Sequence, residues 1–155
     1  MNPKKLAIVA TKGTLDWAYP PFILASTASA LGYDVEIFFT FYGLQLLRKN
    51  LDLKVTSLGN PAMPMPVDLP VWMQSLPGMQ TLMTYMMKRK MKAKNIASVE
   101  QLRDMCKEAG VTFIACQMTV DLFDFNAPDF IDGIEYAGAA TFLEFAGGAD
   151  ISLFV

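Results

Sequence analysis

Residues 4–40 read KKLAIVATKGTLDWAYPPFILASTASALGYDVEIFFT, and this stretch decides the fold. KKLAIVAT (4–11) is a short apolar run rich in β-formers that breaks at Lys12-Gly13-Thr14, the pattern of a strand and its turn. PPFILASTASALG (20–32) predicts a helix. Pro20 and Pro21 suit its first turn, where backbone N–H groups lack partners, and Gly32 suits its stop. YDVEIFFT (33–40) is a second strand, and FYGLQLLRKN (41–50) predicts a short helix after it. A β-α-β-α rhythm implies parallel strands joined by right-handed crossovers.

Working outward, the C-terminal half continues the alternation. SVEQLRDMCKEAG (98–110) predicts an amphipathic helix with Ser98 as N-cap, Gln101 at the capping-box position and Gly110 as stop. VTFIACQ (111–117) reads as the third strand and TVDLFDF (119–125) as the start of a short helix capped by Thr119. GIEYA (133–137) is a fourth strand, AATFLEFAGGA (139–149) a helix with a glycine stop, and DISLFV (150–155) a last strand. Five prolines between residues 61 and 77 (Pro61, Pro64, Pro66, Pro70, Pro77) interrupt the middle, before a methionine-rich helix that starts near Pro77. The expectation is one doubly wound α/β domain over residues 1–155, with a Pro/Met-rich insertion at about 60–95.

Composition narrows the function classes. The chain has 155 residues, 53% hydrophobic and only 18% charged, with mean hydropathy +0.30. Such a chain either covers both faces of its sheet or leaves apolar surface for subunits or a membrane. A net charge of −2 argues against nucleic acid as partner. The start, MNPKKLAIVATKG, breaks too soon for a signal peptide, and two cysteines suit a reducing compartment, so a cytoplasmic protein is expected. There is no histidine, which removes Ser-His and Cys-His nucleophile pairs and the commonest zinc ligand. No metal and no cofactor are expected.

In a parallel sheet, ligands collect beyond the carboxyl ends of the strands. TKGTLD (11–16), TFYG (40–43) and CQMT (116–119) should converge there. Cys116 therefore has two readings: a small hydrophobe packed in the core, or a thiol whose anion is favoured by the amides of the following helix. Lys12, Gly13, Thr14, Tyr42, Gln117 and Thr119 are candidates for an anion or substrate pocket beside it, although Lys12-Gly13-Thr14 lacks phosphate-loop spacing. Cys106 reads as core or as a secondary thiol. The rises along its helix and the next strand separate the two sulfurs by about 14 Å axially, too far for a disulfide.

Residues 69–87 carry no charge for nineteen residues, and Lys88, Arg89, Lys90, Lys92 and Lys94 follow. Prolines, a glycine and several polar residues argue against a span. A lid or subunit interface is the preferred reading of 69–94, with membrane contact the minority one. The basic run is a solvated helix end or a docking patch for an acidic partner or anionic lipid.

AIVATKGTLDWAYPPFILASTASALGYDVEIFFTFYGLQLL, LPGM with MMKRKMK, GVTFIACQMTVDLF and IDGIEYAGAATFLEFAGGADISLFV together resemble the DsrE/DsrF-like sulfur-transfer family, in its DsrE-like or peroxiredoxin-like branch. The resemblance spans nearly the whole chain and is most specific at IACQMTVDLF. It implies an about five-stranded parallel sheet with helices on both faces and a homo-oligomer, trimeric or hexameric. It also implies a cysteine, at Cys116, that carries sulfane sulfur as persulfide or thiosulfonate; a cysteine at the position of Cys106 occurs in part of the family. Sulfur carriers of TusA or rhodanese type are the partners implied. Thiol-to-thiol sulfur transfer needs a thiolate and access, but neither histidine nor metal. The rival readings are an oligomeric scaffold with a structural cysteine and a membrane-associated module using 69–94.

Overall fold

The computed structural model describes residues 2–56, 58, 60, 62 and 69–155. Its elements are β1 (Lys5–Ala10), α1 (Leu15–Ala30), β2 (Asp34–Phe39), a 3-10 segment (Phe41–Leu47), α2 (Val71–Gln74), α3 (Met79–Ala93), α4 (Val99–Glu108), β3 (Thr112–Cys116), α5 (Gln117–Leu122), a 3-10 turn (Ala127–Asp129), β4 (Glu135–Ala137), α6 (Ala139–Ala146) and β5 (Ile151–Phe154). The sheet runs β4-β3-β2-β1-β5. Every pair is parallel, with Ile8 opposite Ile37 and Ile37 opposite Phe113 at its centre. This is the α/β architecture that the strand–helix alternation predicts.

Alternation along each strand divides the core in two. Leu6, Ile8, Val35, Ile37, Phe39, Phe113 and Ala115 face α1 and α4, which pack on one another. Phe22 of α1 seats its ring 6.0 Å from Phe39 and 5.9 Å from Phe113, at the tilted angles aromatic pairs favour. Ala7, Phe38, Ile114 and Cys116 point the other way, beneath Phe142 of α6. Phe38 and Phe142 stack with centroids 5.1 Å apart. One face is thus roofed deeply and the other thinly.

Three local details depart from the sequence expectations. Helix α1 begins at Leu15, a full turn before Pro20 and Pro21, which lie inside it. Leu15 and Ala18 are core residues, and Ala18 N–H donates to Thr14 O, so burial extends the helix ahead of the prolines. The prolines then cannot donate to the Asp16 and Trp17 carbonyls. After β2, residues 41–47 wind as a 3-10 segment, and Gly43 within it passes so close to Ala10 O that a Cβ there would clash. Finally, α5 is capped by Cys116 and not by Thr119: the chain turns from strand into helix with no intervening loop.

The capping box of α4 forms as expected, with Gln101 N–H donating to Ser98 Oγ and Ser98 N–H to Gln101 Oε1. Arg103 on that helix is buried, and its Nη1 donates to Leu46 O and Arg48 O at 2.8 Å each, pinning the end of the 3-10 segment. In the insertion, Pro61, Pro64 and Pro66 lie outside the described residues. Pro70 caps α2, and α3 is held by Thr84, whose hydroxyl accepts from Val55 N–H, and by Gln80, which donates to Val55 O. Among the described residues no helix is long and apolar enough to cross a membrane.

Candidate functional site at the end of strand β3

Cys116 is the last residue of β3 and the N-cap of α5, so its sulfur sits where strand amides end and helix amides begin. The residue is only 5% exposed. Burial pushes the thiol up. The Thr119 hydroxyl and N–H, the Thr40 hydroxyl and the Met118 N–H act against it and together hold the thiol below the ordinary cysteine value. The Cys116 side chain closes no conventional cap hydrogen bond at the start of α5. The dipoles of those groups converge on the sulfur, which favours the anion over the thiol.

Two threonines organise this corner. Thr119 is fully buried, and its Oγ1 lies 3.2 Å from Thr40 Oγ1 and accepts from Phe41 N–H at 3.3 Å. Phe41 is left-handed, φ 48°, a conformation that is strained for a phenylalanine. That geometry aims its amide at Thr119. The β2 end and the α5 start are therefore tied together directly beside the thiol. Thr40 is a site residue that the sequence reading does not single out; its signal is its place as first residue of TFYG, directly after β2.

The candidate pocket residues separate into distinct places. Lys12, Gly13, Thr14 and Tyr42 line one groove of about 400 Å³ together with Trp17 and Thr56. Lys12 Nζ lies 3.3 Å from the centroid of the Trp17 ring, a cation–π contact. A Cβ on Gly13 would meet Tyr42 O at 2.3 Å, so only glycine allows the two loops to touch. Tyr42 stacks on Phe123 at 5.8 Å, linking the groove to the end of α5. Thr119 lies beneath the thiol and not in the groove. Gln117 is exposed, and its Nε2 donates to Asp121 Oδ1 at 2.7 Å.

Cys106 is on the opposite side of the sheet, fully buried in the larger core. Its Sγ–H donates to Phe22 O at 3.4 Å. Burial pushes its thiol up to about 11, against a smaller opposing effect of the Ser26 amide. Both cysteines are free. Only one of the two therefore has the surroundings of an ionisable thiol. Among the described residues no group of three or more His, Cys, Asp or Glu is placed to hold a metal.

Residues 2–154, which contain the whole five-stranded sheet, match the model of a known family. The chain belongs to the DsrE/DsrF/DrsH-like family. It is 65% identical over 159 residues to the sulfur carrier protein DsrE2 of Allochromatium vinosum, covering 100% of both chains. It is 33% identical over 158 residues to the Bacillus subtilis protein YrkE, covering 98% of this chain and 97% of that one. Among solved structures, the ychN protein of E. coli superimposes with a TM-score of 0.57 at 14% identity, covering 98% of this chain and 99% of that one. That likeness is one of fold.

Proposed function

We propose that this member of the DsrE/DsrF/DrsH-like family is a cytoplasmic sulfur carrier that holds sulfane sulfur on Cys116. The observation that carries the reading is the set of four polar groups lowering the Cys116 thiol against its burial. The 65% identity to a protein named a sulfur carrier supports it. In the transfer step the Cys116 thiolate attacks the outer sulfur of a donor persulfide. A sulfur–sulfur bond forms at Cys116, the donor's inner bond breaks, and the donor leaves as a thiolate. No net oxidation or reduction occurs, and no cofactor is needed.

The donor is best read as a persulfide on a partner protein, of TusA or rhodanese type. Phe41, Tyr42, Met118 and Leu122 surround the strand end with exposed apolar side chains, a surface suited to a protein and not to a small polar donor. The thin second face fits assembly into a homo-oligomer, since Leu143 of α6 and Phe154 of β5 stand exposed there. Treating the protein with polysulfide and measuring intact mass tests the reading. Wild type and Cys106→Ala should each gain sulfur, and Cys116→Ala should gain none. Equal gain by Cys116→Ala overturns it.

A further inference from the structure

Helix α3 has two apolar faces, and the body of the protein uses only one. Met79, Met83, Met87 and Met91 recur at every fourth residue; Met83 is buried, and Met79 and Met87 pack against the core. Leu82, Tyr85, Met86, Arg89 and Ala93 form a second stripe, spaced to fall on one side at 3.6 residues per turn. Leu82, Tyr85 and Met86 are exposed, and so are Val71 and Trp72 of α2 and Leu76 in the turn between the helices. Six large apolar side chains thus face outward within residues 71–86. Scattered exposed apolar residues are ordinary, but six within 71–86, three of them on one side of α3, mark a contact surface.

Charge says what kind of contact. Lys88, Arg89, Lys90, Lys92 and Lys94 follow the apolar stretch directly, in a chain whose net charge is only −2. Residues 69–94 contain no Asp or Glu. A second copy pressed self-complementarily on this face would bring basic cluster to basic cluster with no acidic counterpart. A leaflet of anionic phosphates supplies the counterpart throughout. Tyr85 and Trp72 have the amphipathic rings that settle at the headgroup level. At about 1.5 Å per residue, the 15 residues of α3 extend about 22 Å, short of the bilayer core, so a helix lying in the interface fits and a span does not.

We propose that α2 and α3 are an interfacial membrane-binding element, seated on a leaflet that carries anionic phospholipid. Trp72, Leu76, Leu82, Tyr85 and Met86 enter the boundary between headgroups and acyl chains, and the five cations at 88–94 meet the phosphates. This places the protein peripherally on a membrane surface, and it stands independently of whether Cys116 carries sulfur.

Vesicle flotation of the full chain tests it, with phosphatidylcholine vesicles containing phosphatidylglycerol and with phosphatidylcholine alone. The protein should float with the anionic vesicles and stay behind with the neutral ones. Binding should weaken as salt rises from 0.1 to 0.5 M, where screening shortens the reach of the charges (~10 Å at 0.1 M). At about 1 kcal/mol per basic residue near an anionic surface, Lys88→Gln with Lys92→Gln should weaken binding about 30-fold. Trp72→Ala with Tyr85→Ala should also weaken it, while thermal melting stays near wild type because all four side chains are exposed. Flotation with neither vesicle, or with both alike, overturns the proposal. So does an oligomer in solution that Leu82→Glu dissociates, which would make the face a subunit contact.

Discussion

Replacing Thr119 by Val tests how the thiol is tuned. The side chain keeps its shape and loses the hydroxyl, which acts on the Cys116 sulfur and also accepts from Phe41 N–H. A hydrogen-bonding group that acts on a charge is worth about 1.5–3 kcal/mol. At the lower figure, the thiolate population below the thiol's midpoint should fall about tenfold. Iodoacetamide reacts with the thiolate, so the pseudo-first-order alkylation rate of Cys116 across pH reads this directly. The Val variant should be about tenfold slower at neutral pH, with its profile displaced upward. Thr119→Ser keeps the hydroxyl and should stay close to wild type, which ties the effect to the hydroxyl and not to the lost methyl group. An unchanged rate and profile in Thr119→Val would refute the account of how the anion is favoured.

Four further outcomes follow from the same geometry. The Cys106 thiol is raised above its ordinary value of 9.0 to about 11, so its contribution to stability is complete below pH 9 and lost as pH climbs to 11. Denaturant unfolding should show a wild-type loss of about 3 kcal/mol over that window which Cys106→Ala lacks. For Cys116 the sign is opposite: its folded value is lowered, so its contribution is present above the unfolded value and fades as pH falls through the folded one. Wild type should therefore gain stability over Cys116→Ala as pH rises toward 9. Phe142→Ala should speed alkylation of Cys116 by thinning its cover and destabilise the fold by about 3–5 kcal/mol, read by pH-rate kinetics and thermal melting. Gly43→Ala should cost about 1–3 kcal/mol by forcing the 3-10 segment off Ala10 O, read by denaturant unfolding.

The parallel sheet was legible because its strands are nearly continuous apolar runs, which only burial on both sides rewards. Helix α4 was legible because its ends are chemically marked: Ser98 and Gln101 close the capping box, and Gly110 takes φ 82°. The start of α1 was hidden, since Pro20 and Pro21 fit a first turn by local preference, and only the burial of Leu15 and Ala18 moves the boundary back. Thr119 shows the same limit. Its residue type suits an N-cap, but the strand feeds Cys116 itself into that position. Which residues surround a sulfur depends on long-range contacts: Thr40 is 79 positions from Thr119, and no periodicity connects them. Likewise the sequence placed Lys12, Gly13, Thr14 and Tyr42 at the same edge as the thiol, whereas the groove they line and the thiol itself are separate features linked through Tyr42 and Phe123.

The most direct measurement is peptide mapping after polysulfide loading and alkylation. Trypsin cleaves after Arg103 and Lys107, so Cys106 falls on residues 104–107 and Cys116 on residues 108–155, which contain no further Lys or Arg. The alkylated persulfide should appear on peptide 108–155, with peptide 104–107 alkylated as a plain thiol once the chain is unfolded. Sulfane sulfur on peptide 104–107, or on neither peptide, would contradict it.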